Sequence, residues 1–114
     1  MAVQIDVATK TPGGADIPAG SVVVFSTSFP AVKLQMKMKM EVYKDLQTIK
    51  DLGQPIEGGV DGLASRHIFE YDLNGFSLID QAHIDNKAKE VVEAVVGVGN
   101  TTNITKDQLQ PPTE

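Results

Sequence analysis

From Lys33 to Tyr43 the chain reads Lys-Leu-Gln-Met-Lys-Met-Lys-Met-Glu-Val-Tyr, polar and apolar in unbroken alternation. Successive side chains of a strand point to opposite faces, so Leu34, Met36, Met38, Met40 and Val42 form one apolar ribbon. Lys33, Gln35, Lys37, Lys39, Glu41 and Tyr43 lie behind it. Whatever fold the chain adopts must therefore give a long strand one dry and one wet face, and must pair or protect both its edges.

A length of 114 residues allows one domain with a modest core. Only 5% of the residues are aromatic and none is Trp, so that core rests on Val, Ile, Leu and Met. With so few large anchors, burial against another subunit is expected to supplement it. The net charge of −5 has the wrong sign for a chain whose main work is coating nucleic acid. Without cysteine there is no disulfide, thiolate zinc site or cysteine nucleophile, which fits a reducing cytosol. The start Met1-Ala2-Val3-Gln4-Ile5-Asp6 lacks the basic and apolar regions of a signal peptide. No apolar run approaches the roughly 20 residues of a bilayer span, so the expectation is a soluble, unexported protein.

Val3, Ile5 and Val7 alternate with polar or small residues in a brief first strand that ends at the turn Thr11-Pro12-Gly13-Gly14. Ser21 to Ser28 is β-branched and continuous, as in a strand covered on both sides, and Pro30 ends it. The long strand should run to about Lys44, followed by a short helical turn or a continuing arm. Asp51 to Ser65, with Gly53, Pro55, Gly58, Gly59 and Gly62, reads as a long flexible loop. His67 to Leu73 is strand-like, and Asn74-Gly75 carries the chain's strongest hairpin signal, with the alternative that it merely ends the strand. A helix runs from the N-cap candidate Asp80 to Val96 and stops at Gly97, with Ile84, Ala88, Val91, Val92 and Val95 on one stripe. Residues 1–99 thus make a single β-rich domain, and 100–114 a polar C-terminal arm that cannot bury a core of its own.

Catalytic signatures are missing. His67 and His83 lack the three or four convergent ligands of a metal site, and Asp80 with His83 is accounted for by a helix cap and a first-turn residue. Glu70 and Asp72 share a strand face, as solvated carboxylates routinely do. There is no nucleophile elbow, and Gly13-Gly14 and Gly58-Gly59 lack the sequence context of a phosphate loop. The reading is of a non-enzymatic chain with no catalytic residue, metal or cofactor. Lys33, Lys37 and Lys39 with Tyr43 resemble an oligonucleotide platform in kind, although one aromatic and a negative net charge make nucleic acid an unlikely partner.

These features describe an α+β, β-rich domain: an antiparallel sheet or sandwich with one C-terminal amphipathic helix, a long Gly-rich loop and extended termini. In its organisation, carried by the strand Lys33 to Tyr43, the loop Asp51 to Ser65, the helix Asp80 to Val96 and the arm Asn100 to Glu114, the chain resembles the small virion proteins of tailed bacteriophages. Those proteins form neck, tail-completion or tail-tube rings, or decorate the capsid. The resemblance implies a structural subunit in a ring or lattice, made in the host cytoplasm and housed in the virion. Its partners would be copies of itself and other structural proteins, without membrane contact. Leu34, Met36, Met38, Met40, Val42, Ile56, Val60, Leu63, Ile104 and Leu109 are the expected subunit-interface residues. The alternative is a small cytosolic ligand- or nucleic-acid-binding module using the Lys33/Lys37/Lys39 face with Tyr43.

Overall fold

Residues 2–104 are described by a computed structural model. They form, in order, strands β1 (Ala2–Ile5), β2 (Thr9–Lys10), β3 (Asp16–Ile17), β4 (Val22–Ser28) and β5 (Gln35–Tyr43), helix α1 (Leu46–Lys50), strand β6 (Arg66–Glu70), helices α2 (Leu73–Ser77) and α3 (Gln81–Val96), and strand β7 (Thr101–Ile104). Five strands make one antiparallel sheet in the order β6-β5-β4-β1-β7, and β2 pairs with β3 in a separate ribbon. The fold is α+β and β-rich, with its long helix near the C-terminus. That helix carries the chain from β6 at one edge of the sheet to β7 at the other, packing on β1 and β7.

The alternation in β5 decides which face is dry. Met36, Met38, Met40 and Val42 are all buried, while Lys37, Lys39 and Glu41 between them are exposed. Register carries the pattern across the sheet: Val42 lies opposite Val23, Met40 opposite Phe25 and Met36 opposite Phe69. Ala88 and Val92 of α3 close this inner core at 0% exposure, with Ile84, Val91 and Val95 packed around them. Asp80 caps the helix by accepting the His83 backbone N–H at 2.8 Å, and Gly97, at φ 99°, ends it in a conformation that favours glycine.

Half of the outer face is covered as well. Ala2, Val22 and Ile104 form a second small core under Leu46 and Ile49 of α1. This explains the continuous apolar start of β4: Val22 and Val23 are both buried, on opposite faces of the sheet. Helix α1 also settles the ambiguity after Lys44 in favour of a short helical turn.

Three expectations change. The Gly-rich segment 51–65 is irregular but packed: Val60 is 2% exposed, Ile56 donates to the Val42 carbonyl at 2.7 Å, and Asp61 donates to the Lys10 carbonyl at 2.8 Å. Asn74-Gly75 makes no hairpin, because Asp72 accepts the Gly75 N–H at 2.6 Å and caps α2 instead. Thr101–Ile104, expected as the start of a polar arm, is strand β7, with Ala2 opposite Ile104.

Candidate functional site

Most of the expected interface residues are internal to this chain. Met36, Met38, Met40, Val42 and Val60 are covered by the chain's own helix, strands and loop, and Ile104 by the second core, so none presents surface to a neighbour. The Met ribbon, which the sequence offered both as core and as a contact between subunits, is core within this chain, covered by α3 and the 51–65 segment. Ile56 and Leu63 are partly buried against the same core. Leu34 is 39% exposed, just before β5, and Leu109 lies outside the described residues.

The uncovered part of the outer face holds the expected lysines and one cation that sequence reasoning missed. Arg66 of β6 sits directly opposite Lys39, and Ile68 opposite Lys37, while Ser26 and Ser28 flank the two lysines from β4. Lys39 reaches Glu41 at 3.8 Å; among the described residues Arg66 makes no ion pair. Two like charges directly opposite each other in a sheet are unfavourable, so Arg66 brings an uncompensated local cost. Tyr43 is four residues from Lys39, about 13 Å along the strand. Its hydroxyl lies 3.5 Å from Glu41, and burial raises its pKa above the usual 10.0. Lys33 belongs to the β4–β5 connection. The strand therefore does not gather Tyr43 with the lysines into one base-sized platform.

Each histidine ring has a hydrogen-bond partner within the chain. His83 Nε2 and the Tyr71 hydroxyl are 2.8 Å apart, joining α3 to the segment after β6, and burial raises the Tyr71 pKa. His67 Nε2 lies 3.0 Å from the Ala64 carbonyl oxygen. Glu70 accepts from Gln35 at 3.0 Å and Asp72 is engaged as a cap, so those two carboxylates do not work as a pair. Among the described residues no group of three or more His, Asp or Glu is placed to hold a metal ion. A depression of about 360 Å³ between β5 and the 55–65 segment is lined by a single ionisable side chain, Glu41.

What stands out is one edge and one end of the sheet. Strand β6 has β5 on one side and, among the described residues, no strand on the other. Met40 N–H donates to the Ser65 carbonyl and Tyr71 N–H to the Leu34 carbonyl, at 2.8 and 2.9 Å, which fixes the alternation of the ladder. Ser65, His67, Phe69 and Tyr71 turn their backbone groups toward β5, and Arg66, Ile68 and Glu70 turn theirs outward. Ile68, at the middle of this edge, is 60% exposed. At the end of β6, the Tyr71–Leu78 segment meets the β4–β5 connection through an edge-on Phe29–Phe76 pair with ring centroids 5.8 Å apart. Between them these two segments expose Phe29, Val32, Leu34, Leu73 and Leu78, the last at 76%.

No family model, curated protein or solved structure matches the chain. Its function is therefore argued from geometry.

Proposed function

We propose that this chain is a non-enzymatic assembly subunit, a structural component that works by contact with further protein chains. The observation that carries the reading is the clustering of Phe29, Val32, Leu34, Leu73 and Leu78 at one end of the sheet, beside the open β6 edge. Scattered exposed apolar residues are ordinary, but five on two touching segments mark a surface that water covers poorly and a protein partner covers well. Such a subunit fits a ring or lattice, and the organisation-level resemblance to neck, tail and capsid-associated proteins of tailed phages suggests the virion as its setting.

The test combines solution mass with substitution. Native mass spectrometry should find discrete multimers of the full chain, and Leu73→Glu with Leu78→Glu should shift them toward monomer while leaving the far-UV spectrum intact. The two leucines lie outside the core, so loss of folding is not expected. A parent chain that stays monomeric at high concentration would refute the reading. The 1–99 domain expected from the sequence leaves out β7, which covers Ala2 and Val22, so a truncation that removes the C-terminal arm alone starts after Ile104.

A second reading is favoured by the cluster of Lys37, Lys39 and Arg66 on the open sheet face. A single-stranded oligonucleotide could follow such a stripe, with affinity that falls steeply as salt rises. Lys39→Glu should abolish that binding if this reading holds and should leave assembly unchanged if the first does.

A further inference from the structure

We infer that the open edge of β6 is a self-pairing edge: two copies of this chain join their β6 strands antiparallel about a two-fold axis through Ile68, fusing two five-stranded sheets into one. This deepens the assembly reading and rests on it.

The argument is one of register. A two-fold axis at Ile68 places Ile68 opposite Ile68 of the second copy, Arg66 opposite Glu70 and Glu70 opposite Arg66. The five-residue strand Arg66-His67-Ile68-Phe69-Glu70 is thus its own complement when reversed: cation to anion at both ends, apolar to apolar at the centre. Shifting the register by two residues so that Arg66 falls against Ile68 puts Glu70 opposite Ala64 and loses both charge pairs.

Backbone geometry agrees with side-chain chemistry. Arg66, Ile68 and Glu70 are the residues whose N–H and C=O groups point outward, as deduced from the bonds to Ser65 and Tyr71. In the proposed register these same residues fall opposite one another, so each facing pair exchanges two backbone hydrogen bonds. His67 and Phe69 come to face each other between them as a non-hydrogen-bonded pair, where side chains approach most closely. Both are half-buried on the inner face, their rings already stacked with centroids 6.4 Å apart, and Lys87 Nζ lies 5.7 Å from the centre of the Phe69 ring. The pairing thus adds aromatic contact below the sheet and an Ile68–Ile68 contact above it.

Electrostatics give the pairing a direction. Within one chain Arg66 faces Lys39, a like-charge neighbour, and has no ion-pair partner among the described residues. The second copy's Glu70 arrives on the other side of Arg66 and supplies the missing anion. Edges guarded only against aggregation carry charge that repels any incoming strand. This edge instead carries charges arranged to attract its own copy and to penalise slipped registers.

Three chains test the inference: Arg66→Glu, Glu70→Arg, and the double variant. The two-fold axis makes each single substitution act at both ends, turning two attractive pairs repulsive, and the dimer dissociation constant should rise about 30-fold. The double variant should return to within a few-fold of the parent. The decisive experiment mixes the two single variants. Arg66→Glu has only carboxylates at its edge and Glu70→Arg only guanidinium groups, so each pairs weakly with itself while together they should form a one-to-one heterodimer as the dominant species in native mass spectra. Ile68→Pro should also abolish dimerisation, because it removes an outward N–H and none of the bonds to β5.

Multimers of the parent that persist in all of these variants would overturn β6 pairing while leaving the assembly reading in place. A monomeric parent would overturn both. Single variants that stay monomeric when mixed, with native far-UV spectra, would show that the charges act other than by facing one another.

Discussion

Replacing Met38 by alanine probes whether the apolar ribbon of β5 belongs to the fold or to an interface. Met38 is 1% exposed, in the middle of β5, with Thr27 opposite it on β4 and His67 on β6. Fully burying a methionine side chain contributes about 1.5–3 kcal/mol, and the cavity left behind raises the cost of a buried Met-to-Ala change to about 2–5 kcal/mol. Met36 and Met40 flank the site on the same face and are unbranched, so they can relax into part of the space. The expected loss is therefore in the lower half of that range, about 2–3 kcal/mol. Lys39→Ala, one residue along and on the exposed face, should change stability by no more than about 0.5 kcal/mol. In urea unfolding followed by far-UV circular dichroism, the Met38→Ala midpoint should fall by about 2 M, taking a slope of 1–1.5 kcal/mol/M. The difference from the parent should be the same at low and high protein concentration. A loss below about 1 kcal/mol, or one that shrinks as concentration rises, would refute the reasoning and put the ribbon between copies.

Leu52 follows α1 with φ 57°, and the bonds Leu52 N–H to Ile49 C=O and Gly53 N–H to Thr48 C=O make it the left-handed residue of a helix C-cap. Leu52→Gly should therefore raise stability by up to about 1 kcal/mol in the same unfolding assay, since the side chain is exposed and strained. Tyr71→Phe removes the hydrogen bond to His83 and should cost about 0.5–1.5 kcal/mol with little change in the circular dichroism spectrum. The Thr102 hydroxyl, then the Gln4 amide, hold Asp6 below its usual pKa of 3.8, and the Thr48 hydroxyl and N–H do the same for Asp45. Both folded values lie below the unfolded ones, so their contribution is complete above about pH 4 and is lost as pH falls through the folded values. Melting temperature should drop on acidification in that window, and Asp6→Asn with Asp45→Asn should flatten the drop.

The alternating run 33–43 and the stripe Ile84–Val95 were legible because each is long, periodic and covered on one side by the same core. Asp80 and Gly97 bound the helix by cap chemistry that is local in sequence. Three features were hidden for separate reasons. The Asn74-Gly75 turn was outcompeted by a cap from Asp72 and by Phe76 packing against Phe29 and Tyr71, contacts that no local pattern shows. Strand β7 carries Thr101, Thr102 and Asn103, and it joins the sheet mainly through its backbone, which leaves no apolar alternation to read. Arg66 escaped notice as part of the basic face because more than twenty residues separate β5 from β6, so nothing in the sequence fixes their register. The Met ribbon was rightly read as dry, but a single strand does not say whether its cover comes from its own chain or from another.

The most direct test of the assembly account is the mass of the unmodified chain in solution, followed by light scattering over a dilution series. The account calls for a discrete dimer, or a multimer built from dimers, that dissociates on dilution. A single species at the monomer mass of 12.2 kDa across the whole series would contradict it.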